Sequence, residues 1–164
     1  LLLQRSVAYS TLQNFDAAIA DATTLLSIDS TSAMAYWHRA VCQIAMSGFK
    51  ASNGVDVKLQ EAGALSDLNK AIALKPQNAY LYYCRANLYA HQGNNEKAVA
   101  DYTSAIKLDN RFAEAYFNRG LTYITLDNRS QGVKDLSKAG ELGLYSAYNI
   151  IKKNSASATK KQSK

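Results

Sequence analysis

Apolar and polar residues follow a helical period along this chain, and the helical stretches themselves recur. Leu2, Tyr36, Tyr82 and Tyr116 stand 34, 46 and 34 residues apart, and the neighbouring columns repeat with them. A period of that size marks an array of helical hairpins. Each unit holds two apolar-periodic stretches split by a polar turn. Ala79 to Ala90 is predicted as a first helix, His91 to Asn95 breaks it, and Glu96 to Leu108 forms the second. In the last unit Leu126 to Arg129 is the turn and Gln131 to Leu142 the second helix. In register, the units run about 1–32, 33–78, 79–112 and 113–146.

The 46-residue step places about twelve extra residues in the second unit, within Ser47 to Gly63. Asn53-Gly54 followed by Val55 to Leu74 is the pattern of a turn into a lengthened helix. Both helices are expected to lengthen, with a loop around Lys50 to Gly54 and a local ridge as the result. The insertion is either a tolerated surface excursion or a partner-specific contact. Leu144, Tyr148 and Ile151 fall on one face of residues 144–153, expected to cap the array because a last repeat cannot leave its apolar face bare.

Composition narrows the picture. One proline, eight glycines and 48% hydrophobic residues suit helices in a globular chain. No run approaches eighteen apolar residues, so no membrane span is expected. The net charge of +6 is local: Lys152, Lys153, Lys160, Lys161 and Lys164 carry five of it, leaving +1 for the rest. A nearly neutral body has no basic stripe for phosphate, so no nucleic-acid partner is expected. Residues 154–164 are too polar to bury anything and are expected to be a disordered basic tail. The opening Leu1-Leu2-Leu3, without a Met, suggests a piece of a longer bacterial protein that could carry a signal peptide upstream. Cys42 and Cys84 are too few for a disulfide framework and leave the compartment, cytoplasmic or envelope, open.

Tyr82-x-x-Arg85-Ala86-x-x-Tyr89 followed by Ala98-x-x-x-Tyr102-x-x-Ala105 resembles the tetratricopeptide repeat, and Tyr116-x-x-Arg119-Gly120-x-x-Tyr123 repeats its first half. The likeness covers residues 1 to 146, and Pro76 falls where the family often has proline, whereas Ser30, Asn110 and Leu144 do not. It implies an all-α, right-handed superhelical solenoid of antiparallel helix pairs, about four units plus the capping helix, over residues 1–153. Small columns, Ala40, Ala86 and Gly120 on first helices and Ala64, Ala98 and Gly132 on second helices, allow close helix approach.

One departure from the family pattern is systematic. Its usual apolar residue on the first helix is replaced by Arg5, Arg39, Arg85 and Arg119, and the second helices carry Asp21, Asp67, Asp101 and Asp135. The separations are 16, 28, 16 and 16, the longest including the insertion. These columns are expected to form a structural Arg–Asp ladder, with Arg85 facing Asp101 or Asp67 of the preceding unit. The alternative is an arginine row that grips acidic ligands.

In solenoids of this kind the first helices line a concave face. The resemblance puts Leu3, Trp37, Tyr83 and Phe117 there, with Gln4, His38, Cys84 and Asn118 beside them and Val7, Val41, Asn87 and Leu121 one turn on. Such an aromatic surface suits an extended peptide or a partner helix. The competing reading is that the aromatics cover the chain's own terminal segment. Some family members clamp acidic tails with Lys, Arg and Asn; Asn87 and Asn118 fit that pattern, but Trp37, Tyr83 and Phe117 stand where its basic residues belong.

No phosphate-binding glycine loop, paired catalytic carboxylates or Ser-His-Asp arrangement can be assembled, so no enzyme activity and no cofactor are expected. His38 and Cys42, with Cys84 and His91 on the adjacent first helix, are a conceivable zinc set, disfavoured because Cys42 should turn to the neighbouring helix while His38 turns into the groove. The expected function is a scaffold binding a protein or peptide partner. The alternatives are assembly, by self-association or stacking on upstream repeats, and recruitment of substrate for a larger enzyme.

Overall fold

Helix ends sit where the chain supplies a cap or a left-handed residue. In the computed structural model, which describes residues 1–52 and 57–153, α1 (Leu2–Thr11) ends before Gln13, whose φ is 59°. Asn14 then accepts the Ala17 amide on its Oδ1 at 3.3 Å and opens α2 (Phe15–Ile28). The equivalent turns use Gly93 at φ 75° and Asp127 at φ 58°. Only the glycine adopts that conformation without strain. Among the described residues there is no strand, and no helix is long and apolar enough to cross a membrane.

The chain divides into two compact units, Leu1–Leu81 and the segment from Tyr82 onward. In the first, α1 packs on α2 and α3 (Ala33–Ser52) on α4 (Lys58–Leu74), with α2 also against α3. At 20 and 17 residues, α3 and α4 are both longer than their counterparts of 10 to 14. α3 continues through Lys50 to Ser52, where the sequence led to the expectation of a loop. Asn53 to Asp56, part of the expected loop, lie outside the described residues, as does the tail 154–164.

The second unit holds α5 (Ala79–His91, its first turn counted with the first unit), α6 (Asn95–Leu108), α7 (Ala113–Thr125), α8 (Arg129–Glu141) and a terminal helix α9 over 146–153. α8 starts at Arg129, not Gln131, because Asn128 caps it by accepting the Gln131 amide at 3.3 Å. Leu136, Ala139 and Ala147 are fully buried together, with Leu144, Ile150 and Ile151 packed on them. α9 thereby closes the apolar end of α8.

Small residues set how closely paired helices approach. Ala40, Ala64, Ala86 and Ala98 are fully buried, and in the first hairpin Ser6 takes the same column and donates to the Ala18 carbonyl at 2.7 Å. Between α7 and α8, a methyl group on Gly120 would sit 2.9 Å from the Gly132 carbonyl oxygen, and one on Gly132 would sit 2.6 Å from Ile124. No side chain fits there without movement.

Candidate functional site

Each arginine of the repeated column meets an aspartate of its own hairpin through two hydrogen bonds. Nε and Nη2 of Arg5 reach Asp21, those of Arg39 reach Asp67, those of Arg85 reach Asp101 and those of Arg119 reach Asp135, all at 2.6–2.9 Å. The fork geometry of guanidinium and carboxylate favours this bidentate arrangement. Rings flank the guanidinium as well: Arg85 lies 5.8 and 6.0 Å from the Tyr82 and Tyr89 centroids, and Arg119 lies 5.6 and 5.9 Å from those of Tyr116 and Tyr123. The tyrosines three before and four after each arginine share its helix face. Arg39 Nη1 donates to Thr23 at 3.1 Å and Arg119 Nη1 to Thr103 at 2.9 Å, each in the preceding hairpin. These groups are occupied with one another.

In the first unit, Leu3, Gln4, Val7, Met34, Trp37 and His38 line one pocket of about 380 Å³. Trp37 also borders a second pocket of about 450 Å³, with Met34, Lys75, Asn78, Tyr80 and Leu81 among its walls. The Trp37 and Tyr80 rings meet edge to face at 5.9 Å. The indole N–H of Trp37 is buried with no hydrogen-bond partner. Val41 is half-buried further along α3. Sequence reasoning passed over Met34 and Tyr80, although they occupy one column, three residues before Trp37 and Tyr83, and so lie one turn back on the same face.

His38 is only 5% exposed, and its Nε2 lies 3.6 Å from Cys42 Sγ. The expectation that these side chains turn apart is thus corrected: a separation of four residues stacks them on one helix face. Among the described residues no group of three His, Cys, Asp or Glu is gathered. Burial pushes the Cys42 thiol up to about 11.

In the second unit the columns expected to face a ligand are partly consumed by packing. Tyr83 stacks on Phe112 at 4.8 Å and on Tyr102 at 6.1 Å. The Tyr102 hydroxyl donates to Asn87 Oδ1 at 2.6 Å, and Asn118 Nδ2 donates to that oxygen at 2.9 Å and to the Tyr83 hydroxyl at 3.2 Å. Cys84 is buried, contrary to its expected place beside a ligand, because it turns into the core. Phe117 and Leu121 pack on the Leu136, Ala139 and Ala147 cluster that holds α9, so the terminal segment shares these side chains. Trp37, bordering two pockets, is the better placed aromatic.

No curated protein sequence matches the chain. Among solved structures, a crystal structure of MamA is similar at 26% identity and a TM-score of 0.77, covering 90% of this chain and 79% of that one. A thermophilic TPR protein of Thermus thermophilus shares the fold at 20% identity and a TM-score of 0.74, covering 94% and 79%. YrrB, described as a TPR protein with an unusual peptide-binding site, aligns at 21% identity and a TM-score of 0.54 over 92% and 90%. Family models described as TPR repeat or tetratricopeptide repeat match residues 86–127, 68–100, and 1–32 with 113–142. Repeats of this kind are generally non-catalytic modules of protein–protein interaction. With helical hairpins on a 34-residue period, small residues where paired helices touch, and matches over the first, third and fourth hairpins, the chain belongs to the tetratricopeptide-repeat family.

Proposed function

We propose that the chain is a peptide-docking module whose ligand face in the first unit is built on α1 and α3 and centred on Trp37. The observation that carries this is the pocket of Leu3, Gln4, Val7, Met34, Trp37 and His38, an apolar recess on consecutive first helices with an aromatic wall. Rigid aromatic walls in recessed sites supply most of the binding energy in such contacts. In the second unit, Asn87 and Asn118, held by Tyr102 and Tyr83, are the polar points that a peptide main chain would meet. The peptide-binding site in YrrB's description supports the reading by analogy of fold. The Arg–Asp pairs serve as the structural ladder behind this face.

The test is selection of random peptides on the folded chain, followed by affinity measurement on variants. Trp37→Ala and Val7→Glu should each weaken the selected peptides by about thirtyfold, near 2 kcal/mol. Thr24→Ala, exposed on α2, should leave affinity unchanged. Equal affinities for all variants would refute the reading.

A further inference from the structure

The second pocket bordered by Trp37 has chemistry that none of the repeat columns explains. Ala33, Met34, Trp37, Tyr80 and Leu81 make its body apolar and aromatic. Lys75, Asn78 and Ser32 offer donors, whereas the Thr31 hydroxyl at the wall gives its proton to Asp29 at 2.6 Å. Lys75 brings an ammonium, and among the described residues no carboxylate bridges it. Asn78 accepts the Tyr80 amide on Oδ1 at 3.0 Å, a bond that does not use its NH₂. Ser32 accepts the Ala35 amide on Oγ, leaving its hydroxyl proton to give. No acidic residue lines the pocket. Its volume of about 450 Å³ falls within the usual range for a ligand site and admits a bulky side chain with its flanking main chain. Met34 and Trp37 belong to both pockets, so a chain that crosses the indole fills one on each side.

We propose that this pocket reads a bulky apolar residue followed directly by Asp or Glu within an extended partner segment. The apolar side chain fills the space between Trp37 and Tyr80, and the following carboxylate meets Lys75 and the Asn78 amide. The acid is internal, because the segment continues across Trp37 into the pocket of Leu3 and Val7. This specificity rests on the docking function proposed above.

Trp37 is the chain's one tryptophan, so its emission reports occupancy of either pocket in the unmodified protein. The probes are acetylated, amidated octapeptides free of Trp and Tyr, each with a leucine and, three residues on, a phenylalanine followed by Asp, Asn or Lys. A fourth ends on phenylalanine with a free carboxylate. At low salt the Asp peptide should bind about fivefold tighter than the Asn peptide, the upper end of what an exposed ion pair supplies. Lys75→Met should abolish that difference, and Lys75→Glu should favour the Lys peptide. Circular dichroism checks that both variants keep the wild-type helix content. Equal binding of the Asp and Asn peptides overturns the proposal but leaves the docking function standing. A preference that survives Lys75→Met does the same, as does binding of the free-carboxylate peptide alone. If no peptide moves Trp37 emission, both fail together.

Discussion

Arg119 and Asp135 face each other through two parallel hydrogen bonds, Nε to Oδ2 at 2.7 Å and Nη2 to Oδ1 at 2.9 Å, with only 13% and 6% of their side chains exposed. Removing one member leaves a charge with little water around it. Arg119→Leu should therefore cost about 3 kcal/mol by chemical denaturation, nearer the buried than the exposed case. The double variant with Asp135→Leu should recover part of that loss, and strictly additive effects would show the two are not coupled. Arg5, with its more exposed side chain, should show the smallest effect of the four arginines.

The Arg5–Asp21 pair carries a pH signature. Hydrogen bonding from Arg5 holds the Asp21 carboxyl below the usual carboxylate range. Its contribution is thus present above about pH 4, the ordinary carboxyl value, and is lost as pH falls through the lowered one. Asp21→Asn should flatten the acid limb of stability against pH, with an unchanged limb as the contrary result.

Gly120 and Gly132 bring α7 and α8 closer than any side chain allows. Gly120→Ala should destabilise by about 1–3 kcal/mol despite alanine's better helix propensity, because the added methyl meets backbone rather than a flexible side chain. A thermal midpoint equal to or above that of the parent chain would contradict this.

The Tyr102 hydroxyl is buried and gives its proton to Asn87. Tyr102→Phe should cost about 1 kcal/mol and loosen Asn87 and Asn118 together, since one oxygen organises both. Side-chain amide resonances in NMR spectra read this directly, and unchanged amide signals for both residues would refute it.

With its thiol pushed up to about 11 by burial, Cys42 is about one part in a thousand thiolate at pH 8. Native protein should leave Cys42 unlabelled by an aromatic disulfide reagent over minutes and label it at once in denaturant. Rapid native labelling, located by peptide mass mapping, would refute this.

Much of the fold is written in short-range periodicity. The 34-residue columns name the helices, and the alanine and glycine columns name the faces that touch. Packing that depends on which column wins a contested side chain is less legible. Cys84 carries the spacing of a ligand-facing residue, yet it is buried, because burial is decided by neighbouring helices and not by period alone. Phe117 sits in the same column as Trp37, but α9 is at hand to pack with the cluster it joins. The spacing of arginines and aspartates marks two columns. Nothing in it distinguishes Asp67 from Asp101 as the partner of Arg85; the fork resolves in favour of Asp101.

Arg39 grips Asp67 across 28 residues with the same two 2.7 Å bonds that Arg5 forms across 16. The extra residues of the second hairpin lie beyond that fastening, toward the far tip of α3 and α4. Length can accordingly be added or removed toward a hairpin's far end while the fastening of its two helices stays untouched. Such an architecture separates inheritance into two parts: a shared fastening that makes a duplicated repeat fit at once, and a free end where each copy can grow a surface of its own.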